Sequence, residues 1–312
     1  MTTIAPPAAA GTATSDRPAG SGPQRKTGLA MLFLAPSLIG VIFFLLIPVV
    51  LVIILSFVKW DLLRPAKFVG FSNYLNIFKY DHMAHSLLVT LYYVVLNIPI
   101  QTAIALGLAI LLNRHLPATG LLRVICVLPF LATPVAMAVV WNWFFDPNTG
   151  AINTLLSLVG IHGPAWLAST ATAMPVIAFA NIWQYAGYNM LFFLAGLQAI
   201  PNHLYEAARV DGASKIQQFT RITLPLLRPT MLFVLVTGVI GSFQVFDMVF
   251  VLTQGGPGYA TQVVNLQIYQ SAFVAFNIGD ASAMSVILFL IILAFTVAQF
   301  AYFRRRTVYE MT

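Results

Sequence analysis

The residues with chemistry to offer in this chain are hydrogen-bonding and aromatic side chains set inside long apolar stretches. Asn181, Gln184, Tyr185 and Tyr188 stand at intervals of one, three and four. At 100° per residue they share one helical face. Gly241, Ser242, Gln244 and Asp247 lie in the next apolar stretch. Amides and carboxylates bond hydroxyl groups, and aromatic faces stack on the apolar side of a sugar ring, so such a wall suits recognition of a hydroxyl-rich solute. Hydrogen-bonding groups inside a membrane are tolerated mainly where they face other helices or a wet cavity. Asp247 is the sharpest case: an unpaired carboxylate within a span costs roughly 2.5–3.5 kcal/mol, so it requires a partner, a wet cavity or the outer interface. Trp183 and Tyr188 also have a packing or interfacial role open to them, and Asn189 and Gln299 an interhelical hydrogen bond.

Bond-breaking chemistry has no such footing. The chain carries no G-x-x-x-x-G-K-[ST], H-E-x-x-H or G-x-S-x-G pattern, and His82, His85, His115, His162 and His203 lack metal-ligand spacing. Cys126 is the only cysteine, which rules out an intramolecular disulfide or a cysteine-based metal site. Gly255-Gly256-Pro257-Gly258 lacks the lysine and preceding strand of a phosphate loop and reads as a turn. No catalytic or metal residues are expected, and the chain reads as a conduit rather than an enzyme.

A second cluster is polar and outward-looking. Glu206-Ala207-Ala208-Arg209-Val210-Asp211-Gly212-Ala213 interrupts the apolar sequence, followed by Leu224-Pro225 and Arg228-Pro229. Asn202 suits the cap of a short helix, Glu206 favours its positive end, and Gly212 suits the left-handed residue that ends it. Ser214 and Gln217 form a capping-box pattern for a second short helix with Ile216, Phe219 and Ile222 on one stripe. Leu224-Pro225 is expected to end that helix, and Pro229 to open the following span. Each helix is about two turns and marginal alone in water, so something must cover the stripe. The alternative is a solvated hairpin held by a Glu206–Arg209 pair, worth about 0.2–0.5 kcal/mol.

The elements that position these groups follow from composition. Hydrophobic residues make up 59% of 312 and charged residues 8%, with a mean hydropathy of +0.86, which no water-soluble globule can hide. Six uncharged or nearly uncharged regions have the length a roughly 30 Å hydrocarbon core demands, near 28–58, 86–113, 124–145, 172–200, 230–253 and 281–303. Pro99, Pro129, Pro134 and Pro175 are expected to kink them. Residues 1–27, rich in Ala, Pro, Gly, Ser and Thr, read as a disordered cytoplasmic tail with no cleavable signal. The domain proper is 28–312, with a cytoplasmic loop at 202–229.

Orientation follows from Lys and Arg, which are retained on the cytoplasmic side. With the N-terminus inside, twelve of the sixteen fall in cytoplasmic segments. The other four, Lys59, Arg64, Lys67 and Lys79, occupy the first outer loop. Both termini are then cytoplasmic, and the +7 net charge reflects topology rather than nucleic-acid binding.

The string Glu206-Ala207-Ala208-x-x-Asp211-Gly212-Ala213, with Phe219, Ile222, Leu224-Pro225 and Pro229, resembles the EAA loop of ABC-importer permeases of the carbohydrate-uptake group, the maltose and glycerol-3-phosphate type. The likeness extends to Ala199-Ile200-Pro201, Phe243-Gln244-Val245-Phe246-Asp247 and Leu252-Thr253-Gln254-Gly255-Gly256-Pro257. It implies an all-α integral membrane fold of six transmembrane helices with a cytoplasmic EAA coupling helix pair, the type I importer transmembrane domain. It implies that Glu206, Ala207, Ala208, Asp211, Gly212 and Ala213 contact an ATPase subunit. It also implies that Asn181, Gln184, Tyr185, Tyr188, Gly241 and Ser242 lie on the substrate path, where Gln244 and Asp247 join them as polar groups of the fifth span. ATP and Mg would belong to the partner ATPase, with no cofactor in this chain.

The partners so implied are a second six-span permease, two copies of the ATPase, an extracytoplasmic solute-binding protein and membrane lipid, in the cell membrane, with no nucleic acid. The solute is a sugar or sugar-like molecule, with neutral sugars, amino sugars and glycerophosphodiesters all open. The competing class is a secondary transporter or channel driven by an ion gradient. It would want a relay of embedded titratable groups, of which Asp247 is the single firm candidate.

Overall fold

The computed structural model describes residues 24–114 and 118–304, with side chains from residue 30 onward. The chain divides into two compact units, Met1–Leu51 and Val52–Thr312. The first contains α1 (Gln24–Val41) and a π-helical turn, Ile42–Leu46. Helix α2 (Ile47–Leu55) follows. Together they give a candidate span, Ala30–Leu55, none of whose apolar window is buried. Helix therefore begins at Gln24, within the stretch expected to be a tail, because a long helix already nucleated extends cheaply over ordinary residues. The rest of that expectation, and those resting on Arg17, His115, Arg305 and Arg306, fall outside the described residues.

The second unit takes in the last residues of α2 and then a short antiparallel hairpin, β1 (Val58–Lys59) and β2 (Lys67–Phe68). Then come α3 (Ser72–Lys79), α4 (Met83–Leu112), α5 (Thr119–Leu131), α6 (Pro134–Phe144), α7 (Ala151–Leu158) and α8 (Ala173–Gln198). Next are α9 (Asn202–Val210), α10 (Lys215–Gln218), a π turn at Phe219–Thr223, and α11 (Leu224–Leu226). The chain finishes with α12 (Arg228–Phe243), α13 (Asp247–Leu252), α14 (Val264–Tyr269) and α15 (Ile278–Arg304).

Among the described residues four helical segments are long and apolar enough to cross a membrane: Ala30–Leu55, Met83–Leu112, Arg228–Leu252 and Ile278–Arg304. A fifth exists if α5 and α6, bent by 96° at a short break, count as one. That bend has a local cause. Thr133 precedes Pro134 and is driven to extended backbone with ψ of 143°, since the proline ring disfavours the helical conformation in the residue before it. Thr133 then caps α6 by accepting from the Ala136 amide at 3.4 Å. Pro99, by contrast, lies inside α4 without dividing it. Helix α8 is 26 residues long but is less apolar, because it carries the polar face described above.

Core packing runs in layers along α4. Near its N-terminus Val89 and Tyr93 pack with Met174, Ile177 and Val263. Near its C-terminus Ala105, Ala109 and Leu112 pack with Phe193, Leu197, Ile200 and Leu227. A further cluster joins α4 to α12 and α15 through Val94, Ile98, Val239, Phe243 and Met284. The α9–α10 segment and the 254–277 segment therefore lie at opposite ends of this bundle.

Candidate functional site

A cavity of about 250 Å³ lies midway along the bundle. Helix α8 contributes Asn181, Tyr185, Tyr188 and Asn189, and α12 with the segment after it contributes Gly241, Ser242, Gln244 and Asp247. Seven of the eight substrate-path residues chosen from sequence thus border one space. Gln184 does not: it is 1% exposed, and its Nε2 donates to the Ala132 carbonyl at 3.0 Å. The reason is angular. Relative to Asn181, Tyr185 and Tyr188 stand within about 40°, whereas Gln184 stands about 60° to one side, toward α5.

Helix α4 supplies a wall that the sequence reading overlooked. Asn97 and Gln101 line the cavity, one turn apart on the same face, and the signal was two amides four residues apart in an otherwise apolar helix. Asn97 Nδ2 donates to Ser242 Oγ at 3.0 Å, tying α4 to α12, while its Oδ1 is buried without a partner. Phe130, also missed, stacks on Tyr188 at 4.1 Å between ring centroids and meets Tyr185 edge-on at 5.7 Å. One face of Tyr188 is therefore occupied by α5.

Asp247 reaches the cavity because the fifth expected span is broken. Helix α12 ends at Phe243, and Phe246 takes up φ −144° and ψ −61° before α13 begins. The carboxylate is consequently brought inward rather than carried along a straight helix toward its end. The lining includes no Lys, Arg or His, so the field in the cavity is set by one acid and several neutral dipoles. Among the described residues no group of three His, Cys, Asp or Glu gathers as a metal site.

The polar segment at 202–229 forms a helical hairpin. Its first turn-off is a complete Schellman closure: the Ala213 amide donates to Ala208 O at 2.8 Å and the Gly212 amide to Arg209 O at 3.1 Å, with Gly212 at φ +75°. The capping box is present as read, with Gln217 N donating to Ser214 Oγ at 3.3 Å and Ser214 N to Gln217 Oε1 at 2.8 Å. Two details differ from expectation. Pro201, not Asn202, occupies the N-cap, with no side-chain cap bond, because Pro fixes the preceding turn and leaves Asn202 inside the helix. Leu224-Pro225 does not end the second helix, since the π turn at Phe219–Thr223 carries the chain into α11. A wider π turn accommodates a proline that an α-helical interior would not.

The hairpin is fastened to the bundle by Leu204 and Tyr205, which pack on the cluster at the C-terminal end of α4. The Tyr205 hydroxyl and Thr223 Oγ1 are 2.9 Å apart. On the other side Val210 is 88% and Ile216 77% exposed, beside exposed Glu206, Ala207, Asp211 and Gly212. Arg209 Nε turns back to Tyr205 O at 3.3 Å, and among the described residues Glu206 takes part in no ion pair.

With this geometry in view, residues 74–308 match the family described as binding-protein-dependent transport system inner membrane component. The chain belongs to that family. It is 35% identical over 277 residues to the trehalose/maltose transport system permease protein MalF of Thermococcus litoralis, covering 88% of this chain and 92% of that one. It is 34% identical to the sulfoquinovosyl glycerol transport system permease protein SmoG of Agrobacterium fabrum, covering 86% and 88%. Among solved structures, a bacterial ABC transporter involved in import of the acidic polysaccharide alginate superposes with a TM-score of 0.80 at 26% identity, covering 91% of this chain and 98% of that one. A second, 25% identical with a TM-score of 0.81, is the alginate transporter in complex with an alginate pentasaccharide-bound periplasmic protein, covering 91% and 96%. This family member is a predominantly helical, multi-pass cell-membrane transport subunit of a binding-protein-dependent ABC importer. It is not an enzyme, the ATPase being a separate subunit, and the ion-gradient alternative gives way.

Proposed function

We propose that this chain is one half of the transmembrane pathway of an ATP-driven importer for a neutral sugar or similar polyol. In this reading the six spans are Ala30–Leu55, α4, the bent α5–α6 pair, α8, α12 with α13, and α15, with both termini cytoplasmic. The observation that carries it is the convergence of Asn181, Tyr185, Tyr188, Gly241, Ser242, Gln244 and Asp247 on one mid-bundle cavity. Amide, hydroxyl and aromatic groups match a polyol, and a lone carboxylate with no cation beside it disfavours an anionic solute. The relative named for trehalose/maltose transport supports a neutral sugar, while those named for sulfoquinovosyl glycerol and sn-glycerol-3-phosphate, both anionic, support the polyol part of the reading alone.

The cavity's 250 Å³ falls below the roughly 300–1,000 Å³ of small-molecule sites. A second six-span permease would supply the missing wall. Two copies of an ATPase, which hold the ATP and Mg, would seat against the hairpin's exposed Glu206, Ala207, Asp211 and Gly212 and its half-buried Ala208 and Ala213. There the small side chains admit close approach and the open apolar residues Val210 and Ile216 find cover. An extracytoplasmic binding protein would deliver the solute.

The test is uptake of labelled trehalose and maltose into liposomes holding the assembled importer. Uptake that requires internal ATP and the loaded binding protein, and survives a protonophore, is the expected result. Uptake independent of ATP, or abolished by the protonophore, overturns the proposal.

A further inference from the structure

A larger cavity, about 840 Å³, lies at the end of the bundle opposite the hairpin. Its walls come from the start of α4, the turn after α13, and α14 with the π turn that follows it, Gln270–Val274. It is chemically of one kind with the inner cavity, aromatic rings alternating with amides. Tyr259 stands 6.3 Å from His82 ring to ring, and Tyr269 stands 5.3 Å from Phe250. Gln262 Nε2 donates to Gln270 Oε1 at 2.7 Å.

Two polar groups in this wall are buried and unanswered. Gln267 is 8% exposed and Ser86 is 0% exposed, and neither Gln267 Oε1 nor Ser86 Oγ has a hydrogen-bond partner. The Gln267 amide nitrogen is meanwhile fixed on the Asp81 carbonyl, which holds the free oxygen in place. Both atoms lie beneath the cavity surface with essentially no accessible area, so the groups a solute can touch are the more open Gln254, Tyr259, Tyr269 and Gln270 of the same wall. The volume falls within the range of small-molecule sites, and the wall carries donors, acceptors and ring faces, with Asp81 its one carboxylate beside His82 and His85.

We propose that this cavity is a second solute site for a neutral saccharide or comparable polyol, which waits there before passing to the inner cavity. Along α4, Ser86 and Asn97 are eleven residues apart, about 16 Å of helix, so two solutes would occupy the chain in line without overlap. The inference rests on the reading of the chain as a carbohydrate permease. It adds a station that the inner cavity does not provide.

Saturation-transfer NMR with trehalose and with maltose, on the assembled importer in nanodiscs without binding protein, tests it. Gly241→Trp fills the inner cavity and should leave at least about half of the transferred signal. Adding Tyr259→Ala and Gln270→Leu should then cut the signal at least about fivefold, the scale of losing hydrogen bonds and a stacking face. Gln254→Ala, at an exposed rim residue, should weaken the signal in the same direction and guards against a folding effect of the pair. Abolition of the signal by Gly241→Trp alone, an unchanged signal in the combined variant, or no signal for either sugar in the unaltered importer each overturns the second site. Unaltered importer that also fails to take up either sugar with ATP would count instead against the parent reading.

Discussion

The carbonyl oxygen of Cys126 occupies the place where a side chain at position 187 would begin: a Cβ on Gly187 would lie 1.7 Å from it. Backbone, not a flexible side chain, is the obstacle, so α5 and α8 are set at a separation that only glycine permits. Gly187→Ala should push α5 outward and disturb the Phe130–Tyr188 stack, at a cost of about 1–3 kcal/mol typical of overpacking. Thermal unfolding of the purified importer should fall accordingly, and Cys126→Ala, which keeps the carbonyl, should not relieve it.

Gly241 makes the opposite case. A Cβ there meets nothing within 4 Å, yet the residue borders the inner cavity. Gly241→Leu should leave the melting temperature nearly unchanged and lower ATP-driven uptake at least about tenfold, equivalent to about 1.4 kcal/mol. Full uptake in this variant would remove the cavity from the solute path.

Asn97 and Ser242 should behave as a coupled pair. Either alanine substitution leaves the other's buried group short of its bond, and the double variant removes both ends at once. A double-mutant cycle on thermal stability should return a coupling of about 0.6 kcal/mol, the average for hydrogen bonds between membrane helices.

Periodicity and length marked the helices correctly where one physical cause acts along an entire segment, as in α4 and α15, whose apolar runs follow from lipid contact or helix packing. The polar face of α8 was legible for the same reason, down to the one residue at its edge, Gln184, that turned to α5. What escaped was tertiary. The break at Gln244–Phe246 carries no proline or glycine to announce it, and it alone brings Asp247 to the cavity. Phe130 lies in an ordinary apolar stretch, and only the close approach at Gly187 aims its ring at Tyr188. The hairpin's capping box and left-handed glycine were readable because each is a local hydrogen-bond pattern. Its continuation through Pro225 depended on a π turn, which has no simple sequence signature.

Asp146 anchors the loop after α6, accepting from the amides of Asn148 at 2.9 Å and Thr149 at 2.7 Å and from the Thr149 hydroxyl at 2.9 Å. Those bonds, chiefly from Thr149, hold its carboxyl below the ordinary value of 3.8. A depressed folded pKa means that the turn's extra stability is present above the unfolded value and is lost as pH falls through the folded one. Hydrogen-exchange protection of the Thr149 amide should therefore be constant from neutral pH down to about 4 and decline only below that. Asp146→Asn should show the reduced protection at every pH.

Gly212 separates folding from force transmission. Its φ of +75° is costly for any residue with a Cβ, by about 1–2 kcal/mol, but a Cβ there would meet nothing within 4 Å. Gly212→Ala should thus weaken the Schellman closure without unseating Leu204 and Tyr205 from the bundle. A larger side chain, as in Gly212→Trp, projects into the space where an ATPase surface would seat. The importer should still assemble in the membrane and hydrolyse ATP, while uptake per ATP falls at least about tenfold, a change of about 1.4 kcal/mol in the coupled step. Gly212→Ala should fall between the two, because it strains the turn but adds little bulk. Unchanged uptake per ATP in Gly212→Trp would mean that this hairpin does not carry the stroke, however well its fold suits the task.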